Sequence, residues 1–334
     1  VTVLPTPRGP LSHAVITALA DGPGEGLPDT SAVDAADPYG DDAQLALYAL
    51  YEQHYRGFDG VPDELEWDPA LLAVRRELER SFLAALRADT PGGRTAEQAL
   101  DELLVEPVDQ TGSVSHHLAG EGESWQMREY VMLRSLYHLK EADPHLWVVP
   151  RLRGRAKAGM VAIEYDEFGA GRADRIHSQL FADLMDDLGL NTDYGHYLDA
   201  APAEALVTVN LMSLFGLHRA LRGALVGHFA AVEITSSPGS RRLAAAMRRL
   251  EAGPAAEHFY AEHVEADAVH EQVVRHEVVA GLLADEPFLD ADVAFGADAT
   301  GFVEDRLARH LLAAWEEGRS ALYEGHAVSA ARPR

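Results

Sequence analysis

The sequence predicts an all-α protein built as a helical bundle, and three observations carry that reading. Period-two alternation is almost absent, the Val148-Val149-Pro150 stretch being too short for a strand. Apolar residues recur at helical spacing in about nine segments joined by short connections, with no internal repeat. In a chain of 334 residues, a 47% share of hydrophobic residues supplies enough apolar surface for a sizeable core.

The elements follow in chain order. Residues 1–40 carry Pro5, Pro7, Pro10, Pro23, Pro28 and Pro38 and lack sustained periodicity, which predicts a proline-rich arm, partly disordered or lying over the surface. From Asp41, Leu45, Tyr48, Leu50, Tyr51 and Tyr55 mark an amphipathic helix ending near Gly57. Asp68-Pro69 caps and opens a helix reaching Asp89. A short helix over 96–105 precedes a polar loop containing His116-His117, adjacent residues that point apart on any regular element. Long helices are predicted over 125–142, 159–169, 172–188 and 202–235, the last stopped by Pro238-Gly239. Segments 241–251, 255–283 and 303–323 complete the set. The expected organisation is an arm over 1–40, one helical domain over 41–325 and a short tail over 326–334. Within the domain, 41–124 reads as an N-terminal extension and 125–325 as the core.

Charge and composition narrow the function. Against 28 Lys and Arg stand 54 Asp and Glu, a net charge of −26 that repels nucleic-acid phosphates and anionic lipid. No cysteine is present, which excludes disulfides, thiolate catalysis, iron–sulfur clusters and thiolate-ligated haem. Any metal is therefore held by nitrogen and oxygen. The opening residues do not read as a signal peptide and no apolar run is long enough to span a bilayer, so a cytoplasmic protein is expected.

The stretch His263-Val-Glu-Ala-Asp267-Ala-Val-His270 is the strongest chemical signal. Steps of four and three residues return the side chains of His263, Asp267 and His270 to one helix face, with Glu265 on the far side. Two imidazoles and a carboxylate on a partly apolar face form a ligand set that needs partners from elsewhere. Two places offer them. Glu141 lies in RSLYHLKEADPHLW, at the end of a helix and on the face reached by Tyr137 and Leu133. Glu167 and His177 straddle a Gly169-Ala170-Gly171 break that lets two helical segments aim both side chains at one point.

Other metal chemistries fail on spacing. A zincin needs His-Glu-x-x-His, but Val274 follows His270-Glu271 at the required place and Ala280 follows His276-Glu277. Ferritin-like bundles use Glu-x-x-His, a spacing absent here. No Walker motif or strand-linked Gly-x-Gly-x-x-Gly appears, so no flavin or nicotinamide site is expected and reducing equivalents come from an external electron donor.

The order Glu141, Glu167, His177, His263, Asp267, His270, together with the phrases LKEADPHLW, RLRGRAKAGMVAIEYDEFGAGR and EHVEADAVHEQ, resembles the haem-oxygenase-like diiron oxidases and oxygenases. The resemblance covers about residues 125–325 and implies a haem-oxygenase-like helical bundle in which these six residues bind two iron ions. It further implies that dioxygen, as co-substrate, is reduced at the iron pair to a bridging peroxide. The activity it points to first is N-oxygenation of a small amine or amino-acid-derived metabolite. Oxidative desaturation, decarboxylation or C–C cleavage of an amino or fatty acid is the alternative, and a haem-binding or thiaminase-like protein of the same architecture a third. Asp267 is the only anionic ligand proposed on its helix, so its loss should weaken one iron position more than the other, whereas loss of Glu265 should do little.

Further residues are candidates for the surroundings of the site. Tyr137 and His138 adjoin Glu141, while Asn210, His218, Arg222, His228 and Glu233 lie in the segment 202–235 and could line a pocket. Tyr194, His196 and Tyr197 form an aromatic loop that could cap the site, and Arg172 and Arg175 could pair with nearby acids. A homodimer is expected, as for many soluble helical proteins.

Overall fold

The computed structural model describes residues 2–24 and 26–324, apart from the side chains of Glu265, Asp267 and Ala268. Among the described residues every regular element is helical. The main helices are α1 (Pro10–Asp21), α2 (Asp41–Glu52), α3 (Pro69–Asp89), α4 (Ala96–Leu103), α5 (Val114–Gly120), α6 (Ser124–His138), α7 (Gly154–Glu167), α8 (His177–Asp187), α9 (Ala203–Leu217), α10 (Arg222–Arg249), α11 (Pro254–Val273), α12 (Ala280–Asp285) and α13 (Asp290–Glu316). No described helix is long and apolar enough to cross a membrane.

Helix α10 runs through the middle, packed by α11, α13 and α5, while α8 packs on α11. Where α10 crosses α13, a Cβ on Gly227 would overlap the carbonyl of Val293, and one on Gly296 the carbonyl of Ala224. These two glycines bring the backbones together, and Val226, Phe229, Val293 and Leu307 fill the core around them.

Several boundaries differ from the sequence expectation. The proline-rich arm contains α1, whose Leu11, Val15, Ile16 and Leu19 are buried. Its orphan amides are satisfied from another helix: the Asp42 carboxylate accepts from Leu11 N at 3.0 Å and Ser12 N at 2.7 Å. The polar loop around His116-His117 includes helix α5, with the His117 ring stacked on Trp315 at 5.6 Å. The single long helix expected over 202–235 is two helices, separated by a 3₁₀ turn over Arg219–Leu221. Arg151 caps the end of α9 by donating to the carbonyls of Gly216 and Leu217. Pro238, expected as a stop, lies inside α10. Packing of α10 between α11 and α13 overrides the lost amide, and Ser237 Oγ donates to the Val264 carbonyl of α11 at 3.2 Å.

A π-helical segment, Val274–Val279, joins α11 to α12 and packs against α7. The N-terminal helices meet the turn after α6 through a buried ion pair, Lys140 Nζ to Glu52 Oε2 at 2.9 Å. Tyr48, Tyr55 and Tyr194 surround that ammonium, the Tyr55 ring centroid lying 4.2 Å away, and the Tyr194 hydroxyl donates to Glu52.

Candidate metal centre

The site is assembled from helix ends as much as from helix faces. α6 stops at His138, so Glu141 comes from the turn that follows and not from a continued helix as expected. Pro144 in the first turn of the short helix Asp143–Leu146 prevents continuation. Glu167 is the last residue of α7 and His177 the first of α8. Between them Gly169, Ala170 and Gly171 take φ values of 68°, 52° and 80°. A Cβ on Gly169 would sit 2.6 Å from the Arg175 carbonyl carbon and 2.7 Å from Ile176 N, so only glycine permits this reversal. The reversal brings Glu167 Oε2 within 2.7 Å of His177 Nδ1.

Two buried groups of metal-binding side chains result. Glu141, His177 and His263 form one, and Glu167, Glu233 and His270 the other, with potential ligand atoms in each group within 4.8 Å of one another. Glu167 connects them: while Oε2 meets His177, Oε1 lies 3.5 Å from His270 Nδ1. Glu233 Oε2 stands 3.3 Å from the same nitrogen.

The hydrogen bonds around the ligands orient them. His263 Nδ1 donates to the Phe259 carbonyl at 2.7 Å, which fixes the tautomer and leaves the Nε2 lone pair buried without a hydrogen-bond partner among the described residues. Burial, reinforced by His177, lowers the His263 pKa and keeps the ring neutral, the form in which imidazole binds metal. His138 Nδ1 is 2.8 Å from Glu141 Oε2. Burial opposes ionisation of Glu141, but His138, hydrogen-bonded to it, holds its pKa well below the usual carboxylate range. Asp166 reaches His270 from outside, Oδ2 to Nε2 at 3.3 Å.

Three carboxylates and three imidazoles, one with a buried lone pair aimed at its group, fit two divalent ions with hard to intermediate ligand preferences, such as ferrous iron. Of the six ligands expected from sequence, the structure brings together Glu141, Glu167, His177, His263 and His270. The side chain of Asp267, like that of Glu265, lies outside the described residues. Glu233, expected as a pocket residue, borders the cavity and stands in the second group as well.

The other pocket candidates divide. Tyr137 lines a small cavity beside both groups, bordered also by Glu141, His145, Glu167, Glu233 and His263. Asn210 is turned away, its Nδ2 donating to Gln44 of α2 at 2.8 Å. His218 pairs with Glu79 at 2.9 Å, and Arg222 with Glu286. The break between α9 and α10 redirects these two away from the cavity. His228 is buried, its Nδ1 2.8 Å from Thr300 Oγ1. The aromatic loop does not cap the site: Tyr194 joins the Lys140–Glu52 pair, Tyr197 accepts from Asn191 N at 2.8 Å, and the His196 ring packs edge-on against Tyr197. Arg172 pairs with its neighbour Asp174, and Arg175 N donates to the Arg172 carbonyl in the same turn.

Sequence reasoning passed over Glu164 and His145. Glu164 lies one helical turn before Glu167 and is 2% exposed, with neither oxygen hydrogen-bonded among the described residues. Burial first, then the charges of Glu167 and Glu233, raise its pKa well above the ordinary carboxyl range. The Glu-x-x-Glu spacing was its one visible signal.

Fold and site together give a helical protein with two buried groups of nitrogen and oxygen donors, linked by Glu167, that could hold metal. Residues 128–303, more than half of the chain, match the model of the family described as iron-containing redox enzyme, and the chain belongs to that family. Its helical architecture is the haem-oxygenase-like fold of that family. The chain is also similar to nitrosourea synthase of Streptomyces achromogenes subsp. streptozoticus, 24% identical over 218 residues, which are 63% of this chain and 46% of that protein. It matches only about half the length of that relative.

Proposed function

We propose that the chain is a non-haem diiron oxygenase that uses dioxygen to oxygenate the nitrogen of a small amine or amino-acid-derived metabolite, with a separate molecule as reductant. The observation that carries this reading is the position of Glu167, whose two oxygens face different histidines, one in each buried group. A carboxylate so placed suits a pair of ions held side by side better than two independent sites. Glu141, His177 and His263 would hold one ion, and Glu167, Glu233 and His270 the other, with Glu167 shared. Two ferrous ions bound there would supply electrons for reducing dioxygen.

The chain's own contribution is orientation and exclusion of water. His138 fixes one oxygen of Glu141, Phe259 fixes the His263 tautomer, and Phe181, Phe229 and Phe259 make the surroundings apolar. Similarity to a nitrosourea synthase favours N-oxygenation over carbon chemistry, because a nitrosourea carries oxygen on nitrogen. The test is anaerobic titration with ferrous iron, then dioxygen and a panel of amines, with mass analysis of products. About two equivalents of iron per chain and a product heavier by oxygen on nitrogen are expected. Loss of hydrogen or a carbon fragment would favour desaturation or C–C cleavage. Less than one equivalent of bound iron, unaffected by Glu167→Ala, would overturn the diiron reading.

A further inference from the structure

Beside the two ligand groups, the wall of the cavity carries a polar group that the metal centre does not use. His145, on the short helix four residues after Glu141, is 1% exposed and borders the cavity together with ligands of both groups. Neither of its ring nitrogens has a hydrogen-bond partner among the described residues. It packs against Phe229 at 4.8 Å between ring centroids and against His228 at 5.3 Å. Burying an imidazole with both nitrogens unsatisfied is unfavourable, and a fold retains such a group where a ligand completes it.

The neighbouring hydrogen bonds determine what that ligand must offer. The Thr300 hydroxyl donates to the Gly296 carbonyl at 2.7 Å, so its oxygen can only accept from His228 Nδ1. His228 Nε2 then carries a lone pair, and it too lacks a partner among the described residues. Burial lowers the pKa of both rings, which are neutral at pH 7. His145 borders the cavity and His228 stands behind it, so a ligand there meets the two nitrogens of His145, which share one hydrogen. A ligand that satisfies both donates at one and accepts at the other. A carboxylate, which brings no hydrogen, satisfies a single nitrogen and faces the lone pair of the other.

We propose that His145, with His228 packed behind it, is the substrate-orienting residue of the cavity and recognises a nitrogen group that donates hydrogen bonds, such as a urea, guanidine or amine end, in preference to a carboxylate. This rests on the N-oxygenation reading and specifies the part of the substrate that the protein grips. His145 is a positioning residue, four residues from a ligand but outside both groups.

The test uses the full chain, iron-free and loaded anaerobically with ferrous iron, and two probes, methylurea and propionate. Titration of histidine-labelled protein is followed by side-chain ¹⁵N resonances, assigned with H145F and H228Q, and by calorimetry. Methylurea should shift the His145 resonances and bind more tightly than propionate. H145F should weaken methylurea binding about tenfold, and H145Q, which keeps a donor and an acceptor, should retain most of it. Because H145F removes an unsatisfied buried group, it should melt at or above the wild-type temperature. Equal binding of the two probes, or unchanged methylurea affinity in H145F, would overturn the proposal. Failure of the wild-type chain to load iron would sink the diiron reading instead, and the iron-free titrations would still decide the role of His145.

Discussion

Asp166 stands 3.3 Å from Nε2 of His270, on the side of the ring opposite the buried carboxylates. His270 thus meets Glu167 and Glu233 through Nδ1 and a half-exposed carboxylate through its other nitrogen. An outer carboxylate of this kind fixes the tautomer and raises the basicity of a ligating imidazole. Asp166→Asn should leave the fold intact and weaken iron at the His270 group about tenfold or more, with little change at the other. Competition against a chelator of known affinity, read by bound-iron stoichiometry, checks this.

Glu167 touches both groups, so its loss should differ in kind from loss of a ligand in one group. Glu167→Ala is expected to lower iron binding at both positions, whereas His263→Ala should affect one. Mössbauer spectra of ⁵⁷Fe-loaded variants separate the outcomes: one surviving ferrous doublet for His263→Ala, and weak or heterogeneous signals for Glu167→Ala. Glu233→Gln and Asp267→Asn, compared in the same way, would divide the second position between the two carboxylates.

Gly169 sits at φ 68° with no room for a Cβ. Gly169→Ala should cost about 2–4 kcal/mol of stability, measured by denaturant unfolding of the iron-free protein. It should also reduce iron affinity, because the same turn holds Glu167 against His177.

The protein should lose stability in mild acid, and His228 is one source. Burial depresses its pKa from 6.5 to about 4, so between those values the unfolded chain takes up a proton that the folded chain excludes. The contribution is fully present above pH 6.5, falls as the pH drops toward 4, and amounts to about 3 kcal/mol for a shift of this size. Glu164, whose pKa burial raises in the fold, titrates with the opposite sign, so the informative quantity is a difference. His228→Gln should lose less stability than wild type between pH 7 and pH 5 in urea unfolding of the iron-free protein.

What the sequence disclosed was whatever depends on local geometry. His263 and His270 share a face because helix periodicity is fixed, and the Gly169–Gly171 reversal was visible because glycine pairs break helices. The capped start of α3 at Asp68-Pro69 was legible for the same reason: the Asp68 carboxylate accepts from Ala70 and Leu71 N. Tertiary partners were not legible. Prolines over residues 1–40 read as an arm because the group that caps α1 is Asp42, a residue of another helix. Pro238 read as a stop because the packing that carries α10 through it comes from α11 and α13. Glu233 was legible as a pocket residue, but its place beside His270 was not, because that distance depends on how α10 and α11 pack.

The ion pair between Lys140 and Glu52 bears on how this protein can be divided. Lys140 immediately precedes Glu141 in the chain, while Glu52 belongs to the segment that reads as an N-terminal extension. A fragment beginning near residue 125 would leave the Lys140 ammonium in the interior without its counter-ion, next to the turn that presents Glu141. An unpaired charge there is strongly destabilising. The first hundred residues are therefore not a detachable appendage on a self-sufficient catalytic module. Transplanting the metal-binding portion alone into another protein would require replacing that pair, for instance by apolar residues at both positions.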